Sequence, residues 1–284
     1  MRSLVAGAGY VGAALARGLV AAGHEVVALR RSEAAPPPGA RAFRADVTVP
    51  GALAALPEAE LVFYTAAADE RSDDAYRRAY VDGLARLIER LARQATPPRR
   101  LLFTSSTAVY GQQDDEWVDE SSQTEPAGFA GRRLLEGEAL VRAAPFPGTV
   151  LRLGGIYGPG RTSLIERARS GAPGGSGYTN RIHRDDAAGA LAHLALLPAA
   201  DPCYVGVDCE PAKEADVLAW LARRLGVPPR TPGARASAEA APAPRRAARG
   251  SKRCRNARLL ASGFRFRYPT YREGYEALLG GCDA

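Results

Sequence analysis

Three glycines spaced Gly7-x-Gly9-x-x-Gly12 follow a short apolar run at residues 2–6 and precede Ala13–Ala22, where Leu15, Leu19 and Val20 have helical spacing. In a strand, turn and helix of this kind each glycine can serve a mechanical purpose, respectively a tight turn, close backbone approach to a pyrophosphate, and close packing of helix on strand. The helix start, at Tyr10 and Val11, points free N–H groups at the phosphates. Gly7, Gly9, Tyr10, Val11 and Gly12 are therefore candidates for a dinucleotide site. A second apolar run, Glu25–Leu29, ends at Arg30-Arg31-Ser32, where an acidic residue would bind the ribose hydroxyl of NAD. Two guanidinium groups and a hydroxyl suit the 2′-phosphate of NADP instead, so NADP(H) is preferred and NAD comes second. Only Lys213 and Lys252 among the 38 basic residues are lysines, so an arginine at a strand end by chance is the competing reading. Asp46 could accept from the adenine amino group with Val47 packed on the ring, or Asp46 could serve as a turn residue.

The elements that must position these residues alternate. Apolar runs at Leu61–Thr65, Leu101–Thr104 and Thr149–Leu153 read as strands, and helical patterns at 74–94 and 131–143 separate them. This predicts an α/β chain with a Rossmann-type, doubly wound parallel sheet. The expected nucleotide-binding domain is 1–153, its sheet completed by 178–207. A smaller, irregular C-terminal substrate region takes 154–177 and 208–284, with a helix at Glu214–Leu225, while a helix near 185–197 and a strand at Cys203–Val207 fall in the stretch that completes the sheet. Residues 228–250 are rich in Pro, Ala and Arg and poor in large apolar side chains, so they read as a mobile loop.

Composition narrows the function classes. The chain has 284 residues and a net charge of +7, but nine basic residues against one acidic fall between 228 and 258. The remainder, 29 basic against 30 acidic, has no general basic character, and the basic segment lacks interleaved aromatics, so no nucleic-acid partner is expected. Four cysteines form no C-x-x-C pair and the three histidines are not grouped with them, so no metal site is expected. No apolar run approaches the ~20 residues needed to cross a bilayer. Glycine comes too early for a signal peptide, and a cytoplasmic protein without a membrane partner is the expectation.

Phe103-Thr104-Ser105-Ser106-Thr107-Ala108-Val109-Tyr110-Gly111 resembles the extended short-chain dehydrogenase/reductase superfamily, closest to its NAD(P)-dependent epimerase/dehydratase branch, which acts on sugar nucleotides. Leu151–Arg161 and Asn180–Asp186 support it, and Tyr268–Gly274 is similar to the closing segment of a bacterial sugar-nucleotide epimerase subgroup. The resemblance implies an oxidoreductase or epimerase acting on a small molecule, a sugar nucleotide or another small hydroxy or keto compound. It implies cofactor contacts at Ala66 and Gly154 as well, and a homodimer through the helices at 74–94 and 131–143.

The family uses a tyrosinate base, a lysine that lowers its pKa, and a Ser or Thr on the reacting oxygen. Ser106 matches the hydroxyl. The Tyr-x-x-x-Lys pair should fall at Phe129 to Arg133, and none of the eleven tyrosines has a lysine four residues on. Catalysis is thus expected to be weak or altered, with a non-catalytic NADP(H) sensor or scaffold as the alternative. Tyr110 and His183 are the remaining catalytic candidates, each with a structural reading beside the chemical one. Tyr157 and Arg161 are the substrate candidates, Arg161 through a phosphate or through a salt bridge within the fold. Asp185-Asp186 reads as a helix start, and Asp114–Glu120 as a solvated loop pinned by Trp117.

Overall fold

The computed structural model describes residues 1–227 and 250–280; the 228–250 segment, Gly250 apart, lies outside them. The elements run β1 (Arg2–Ala6), α1 (Tyr10–Ala21), β2 (Glu25–Arg30), β3 (Arg41–Arg44), β4 (Leu61–Tyr64) and α2 (Asp73–Arg77). A π-helical turn, Arg78–Asp82, joins α2 to α3 (Gly83–Ala92). Then come β5 (Arg100–Ser106), β6 (Asp114–Val118), α4 (Phe129–Arg142), β7 (Gly148–Leu153), β8 (Gly155–Tyr157), α5 (Ser163–Arg169), β9 (Tyr178–Thr179), β10 (Arg181–His183) and α6 (Arg184–Leu196). The chain closes with β11 (Cys203–Gly206), β12 (Ala212–Lys213), α7 (Glu214–Arg224), β13 (Ser251–Cys254), α8 (Ala257–Ala261) and α9 (Tyr271–Gly280).

Seven strands form one parallel sheet in the order β11-β7-β5-β4-β1-β2-β3. Strand side chains alternate between faces, so both faces of a parallel sheet must be covered and its strands read as unbroken apolar runs. In β4, Val62 and Tyr64 enter the core under α3 and α4, whereas Leu61 and Phe63 enter the one under α1 and α6. The strand order reverses between β1 and β4, which opens a crevice at the carboxyl ends of the strands. A third core joins α5, α7 and α9 through Ile165, Leu221 and Tyr275.

Of the stretch 178–207 expected to complete the sheet, only β11 does so. β10 pairs with β8 and β9 with β12, each as a two-stranded sheet. The expected loop at Asp114–Glu120 is largely strand β6, because β13, more than 130 residues away in sequence, pairs alongside it. Trp117 stays 44% exposed rather than pinning anything; Arg253 and Arg255 lie 4.9 and 4.7 Å from its ring.

A buried charge network fixes α4 against the sheet. Arg152 of β7 donates from Nε and Nη2 to the Glu138 carboxylate at 2.9 and 2.7 Å, and Ser105 of β5 donates to it at 2.7 Å. Glu138 is fully buried and Arg152 nearly so. Removing one partner strands the other charge away from water. Glu138→Ala is expected to cost about 3–5 kcal/mol in urea unfolding, whereas a paired change to apolar residues, Glu138→Leu with Arg152→Met, should cost much less.

Candidate functional site

The turn between β1 and α1 is built by exclusion. Gly7 has φ +99°, and a Cβ there would run into the backbone of Ala66 at the end of β4. A Cβ on Gly12 would strike the Gly7 carbonyl oxygen and the Thr65 hydroxyl, which itself donates to Gly7 O at 2.8 Å. Gly9 differs: nothing but Gly7 O, 4.0 Å away, lies near where its Cβ would stand. Gly7 and Gly12 are therefore demanded by the protein's own packing, and Gly9 between them leaves space. No side chain caps α1 and no acid lies in its first turn, so its start favours an anion.

At the end of β2, Arg31 makes a bidentate pair with Asp69 at 2.5 and 2.7 Å, both side chains 59% exposed. Arg30 donates to Ser32 Oγ at 3.1 Å and to Ala35 O at 2.7 Å. Asp46 accepts from the Thr48 backbone and hydroxyl at 2.8 and 2.7 Å, a turn arrangement. Val47 is largely buried in the core and packs on α3, its Cγ2 2.9 Å from where a Cβ on Gly83 would stand.

At the carboxyl end of β5, half-buried Ser106 accepts from the Ala108 N–H at 3.1 Å. Tyr110 is committed to the fold: it donates to Asp119 O at 2.7 Å and accepts from Arg152 at 2.9 Å. Burial pushes its phenol far up, so it has neither the access nor the acidity for a direct role. Phe129 opens α4 with its ring edge-on to Tyr76, centroids 5.4 Å apart. Arg133, four residues on, binds Asp73 at 2.8 and 2.9 Å and also Glu136, tying α4 to α2.

The loop after β8 reaches back to α1. Tyr10 donates to Pro159 O at 3.0 Å, and its ring lies 4.0 Å from the Arg161 guanidinium and 5.3 Å from that of Arg184. Arg161 is exposed and donates to Ile156 O at 3.3 Å. Tyr157, expected to touch substrate, instead stacks on Tyr275 at 4.6 Å with its oxygen against Gly274, sealed in the third core. His183 caps α6, accepting from Asp185 N at 3.2 Å, and burial lowers its pKa; it is 1% exposed and packs on Tyr268 at 4.1 Å. Gly154 is packed against the Asn180 carbonyl and Val207. A separate cleft of about 400 Å³, lined by Tyr178, Asp216, Arg223 and Arg272 among others, shares no lining residue with the glycine turn or with β5.

Residues 3–193 match the model of the NAD dependent epimerase/dehydratase family. A 3-diazoavenalumate denitrifying reductase of a Streptomyces species is 35% identical over 255 residues, covering 81% of this chain and 83% of that protein. The chain belongs to the NAD dependent epimerase/dehydratase family. A 2-alkyl-3-oxoalkanoate reductase of Stenotrophomonas maltophilia is 30% identical over 255 residues, covering 80% of this chain and 77% of that protein. A solved structure from Methylobacillus flagellatus, provisionally described as an NAD-dependent epimerase/dehydratase, superposes with TM-score 0.83 at 38% identity, covering 100% of this chain and 99% of that one.

Members of the epimerase/dehydratase family bind a nicotinamide cofactor, and the opening at Gly9 before an uncapped helix start fits the pyrophosphate of such a group. Among the described residues no group of three His, Cys, Asp or Glu could hold a metal, and no helix is long and apolar enough to cross a membrane. Sequence reasoning missed the partner of Arg31, since Asp69 has no local signal, and it missed the ring of Tyr10 as a rest for Arg161.

Two outcomes follow from this packing. Gly9→Ala should fold with a nearly unchanged melting temperature yet lose nucleotide affinity in calorimetry, whereas Gly7→Ala should melt lower, since it faces both backbone collision and positive φ. In the C-terminal core, Asp208 is 2% exposed, its Oδ2 has no hydrogen-bond partner among the described residues, and burial pushes its carboxyl up to about 8. An acid held neutral in the fold but ionised in the unfolded chain makes stability fall as pH rises from about 4 to about 8. Asp208→Asn should flatten that slope in unfolding curves taken across this range.

Proposed function

We propose that this protein is an NADP(H)-dependent oxidoreductase acting on a small hydroxy or keto compound, a sugar nucleotide among the candidates, and that it works chiefly as a reductase. The observation that carries the reading is the phosphate turn with its open Gly9, together with Arg30, Arg31 and Ser32 at the next strand end. Bound at this turn, a reduced nicotinamide would supply hydride to a carbonyl carbon. Ser106 at the end of β5 would hydrogen-bond the carbonyl oxygen, and the start of α1 would hold the pyrophosphate. The similarity to two reductases supports the direction of reaction.

The Arg31–Asp69 pair does not oppose NADP(H). An exposed pair is worth about 0–1 kcal/mol, so a dianionic phosphate can displace the carboxylate at little cost. A second reading, a non-catalytic NADP(H) sensor or scaffold, draws on positions 129 and 133, where the usual dyad is replaced by a packed ring and an ion-paired guanidinium. Turnover separates the two readings.

Calorimetry tests the cofactor. NADPH should bind at least about tenfold more tightly than NADH, and Arg30→Ala with Arg31→Ala should abolish that preference, while Asp69→Asn should raise NADPH affinity by freeing Arg31. Equal affinities for the two nucleotides would refute the NADP(H) assignment.

A further inference from the structure

We propose that Tyr76 is the proton donor of this site, standing beside the ring of Phe129 where the family's tyrosine would be. The assignment rests on the reductase reading above. Helix α2 follows β4 and α4 follows β5, so both helices begin at the carboxyl end of the sheet, where the cofactor crevice opens. The Arg133–Asp73 pair ties their first turns together. Within that junction Phe129, Tyr76, Tyr80 and Phe103 form a chain of rings, with successive centroids 5.4, 5.1 and 6.5 Å apart. Phe103 belongs to the strand that ends at Ser106.

Two phenols lie in this chain, and they differ. Tyr80 follows on the π-helical turn, and burial pushes its hydroxyl up to about 12, with the Ala68 N–H beside it. Tyr76 is half-exposed, and among the described residues its hydroxyl has no hydrogen-bond partner. Tyr110 has a protein partner on each side of its oxygen, and Tyr64 donates to Ala79 O. Tyr76 is the phenol of this junction that has a hydroxyl left to offer a substrate.

The reaction direction removes the need for a lysine. Oxidising an alcohol requires a tyrosinate, formed near neutral pH only beside a cation that lowers its pKa. Reducing a carbonyl requires the opposite, a phenol that keeps its proton, as a free tyrosine with pKa ~10 does at pH 7. The Arg133 guanidinium is already paired with Asp73 and Glu136. As the carbonyl carbon gains hydride, the C=O π pair moves onto oxygen, the proton leaves Tyr76 Oη for that oxygen, and the phenolate takes a proton back from water. The carbonyl is reduced to an alcohol and NADPH is oxidised to NADP⁺.

The test has one readout independent of turnover. Tetranitromethane should nitrate Tyr76 in the free protein, read by peptide mass spectrometry, and saturating NADP⁺ should slow that modification at least about tenfold, as expected for a phenol covered when the crevice fills. Equal nitration with and without bound NADP⁺ would place the phenol away from the cofactor and overturn the assignment. In the second arm, Tyr76→Phe should keep its melting temperature and its NADPH affinity while losing about 100-fold or more in NADPH-dependent reduction of phenanthrenequinone or ethyl acetoacetate. Adding Phe129→Tyr to that variant should restore part of the rate. Full turnover by Tyr76→Phe would overturn the proton-donor role and leave the reductase reading standing. Loss of NADPH affinity together with turnover would mark Tyr76 as structural and overturn it too. An unmodified protein that binds NADPH but reduces neither carbonyl would overturn both, in favour of the sensor.

Discussion

Gly7 and Ala66 bring the ends of β1 and β4 so close that no side-chain carbon fits between them. That contact lies at the reversal of strand order, the place in an open parallel sheet where neighbouring strands diverge and a crevice opens. Because the two backbones meet there, Thr65 reaches Gly7 O and Gly12 seats α1 over the same oxygen. The helix start is then held rigidly with its N–H groups uncapped. An open Gly9 in front of that start would mean little on a turn free to move; on this one it suits an anion.

The second constraint is charge taken out of water. Glu138 and Arg152 satisfy each other between α4 and β7, and Ser105 and Tyr110 complete the network. Tyr110 is engaged in that role, its hydroxyl held by Asp119 O and Arg152. Arg133 is likewise committed to the fold: its guanidinium ties α4 to α2, and the ring of Phe129 packs on Tyr76. An arginine cannot lend a variable proton, but it can hold two helix starts together in a way that lysine, without a planar fork, would do less well.

The glycine turn and the loop after β8 are joined physically. Tyr10 belongs to the glycine turn by sequence, yet its hydroxyl and its ring hold the loop that carries Arg161. The turn is thus tied to a segment about 150 residues later through one aromatic side chain. Tyr157 and His183, on the same part of the chain, are buried behind that loop and serve to position it.

Local spacing was enough to reveal the sheet strands, the helices on them and the glycine turn, because parallel strands covered on both faces must be continuously apolar and a turn packed this tightly needs glycine at fixed intervals. That no tyrosine has a lysine four residues on was equally plain, being a matter of residue identity. The pairing of β6 with β13 and the partners of Arg31, Tyr10 and Arg161 were not legible, since each is made across scores of residues by surfaces that meet only when the chain is folded. The same holds for the fates of Tyr110, Tyr157 and His183: a tyrosine or histidine in a motif is chemistry or scaffold according to its burial and to what its polar atoms meet, and those are properties of packing in three dimensions.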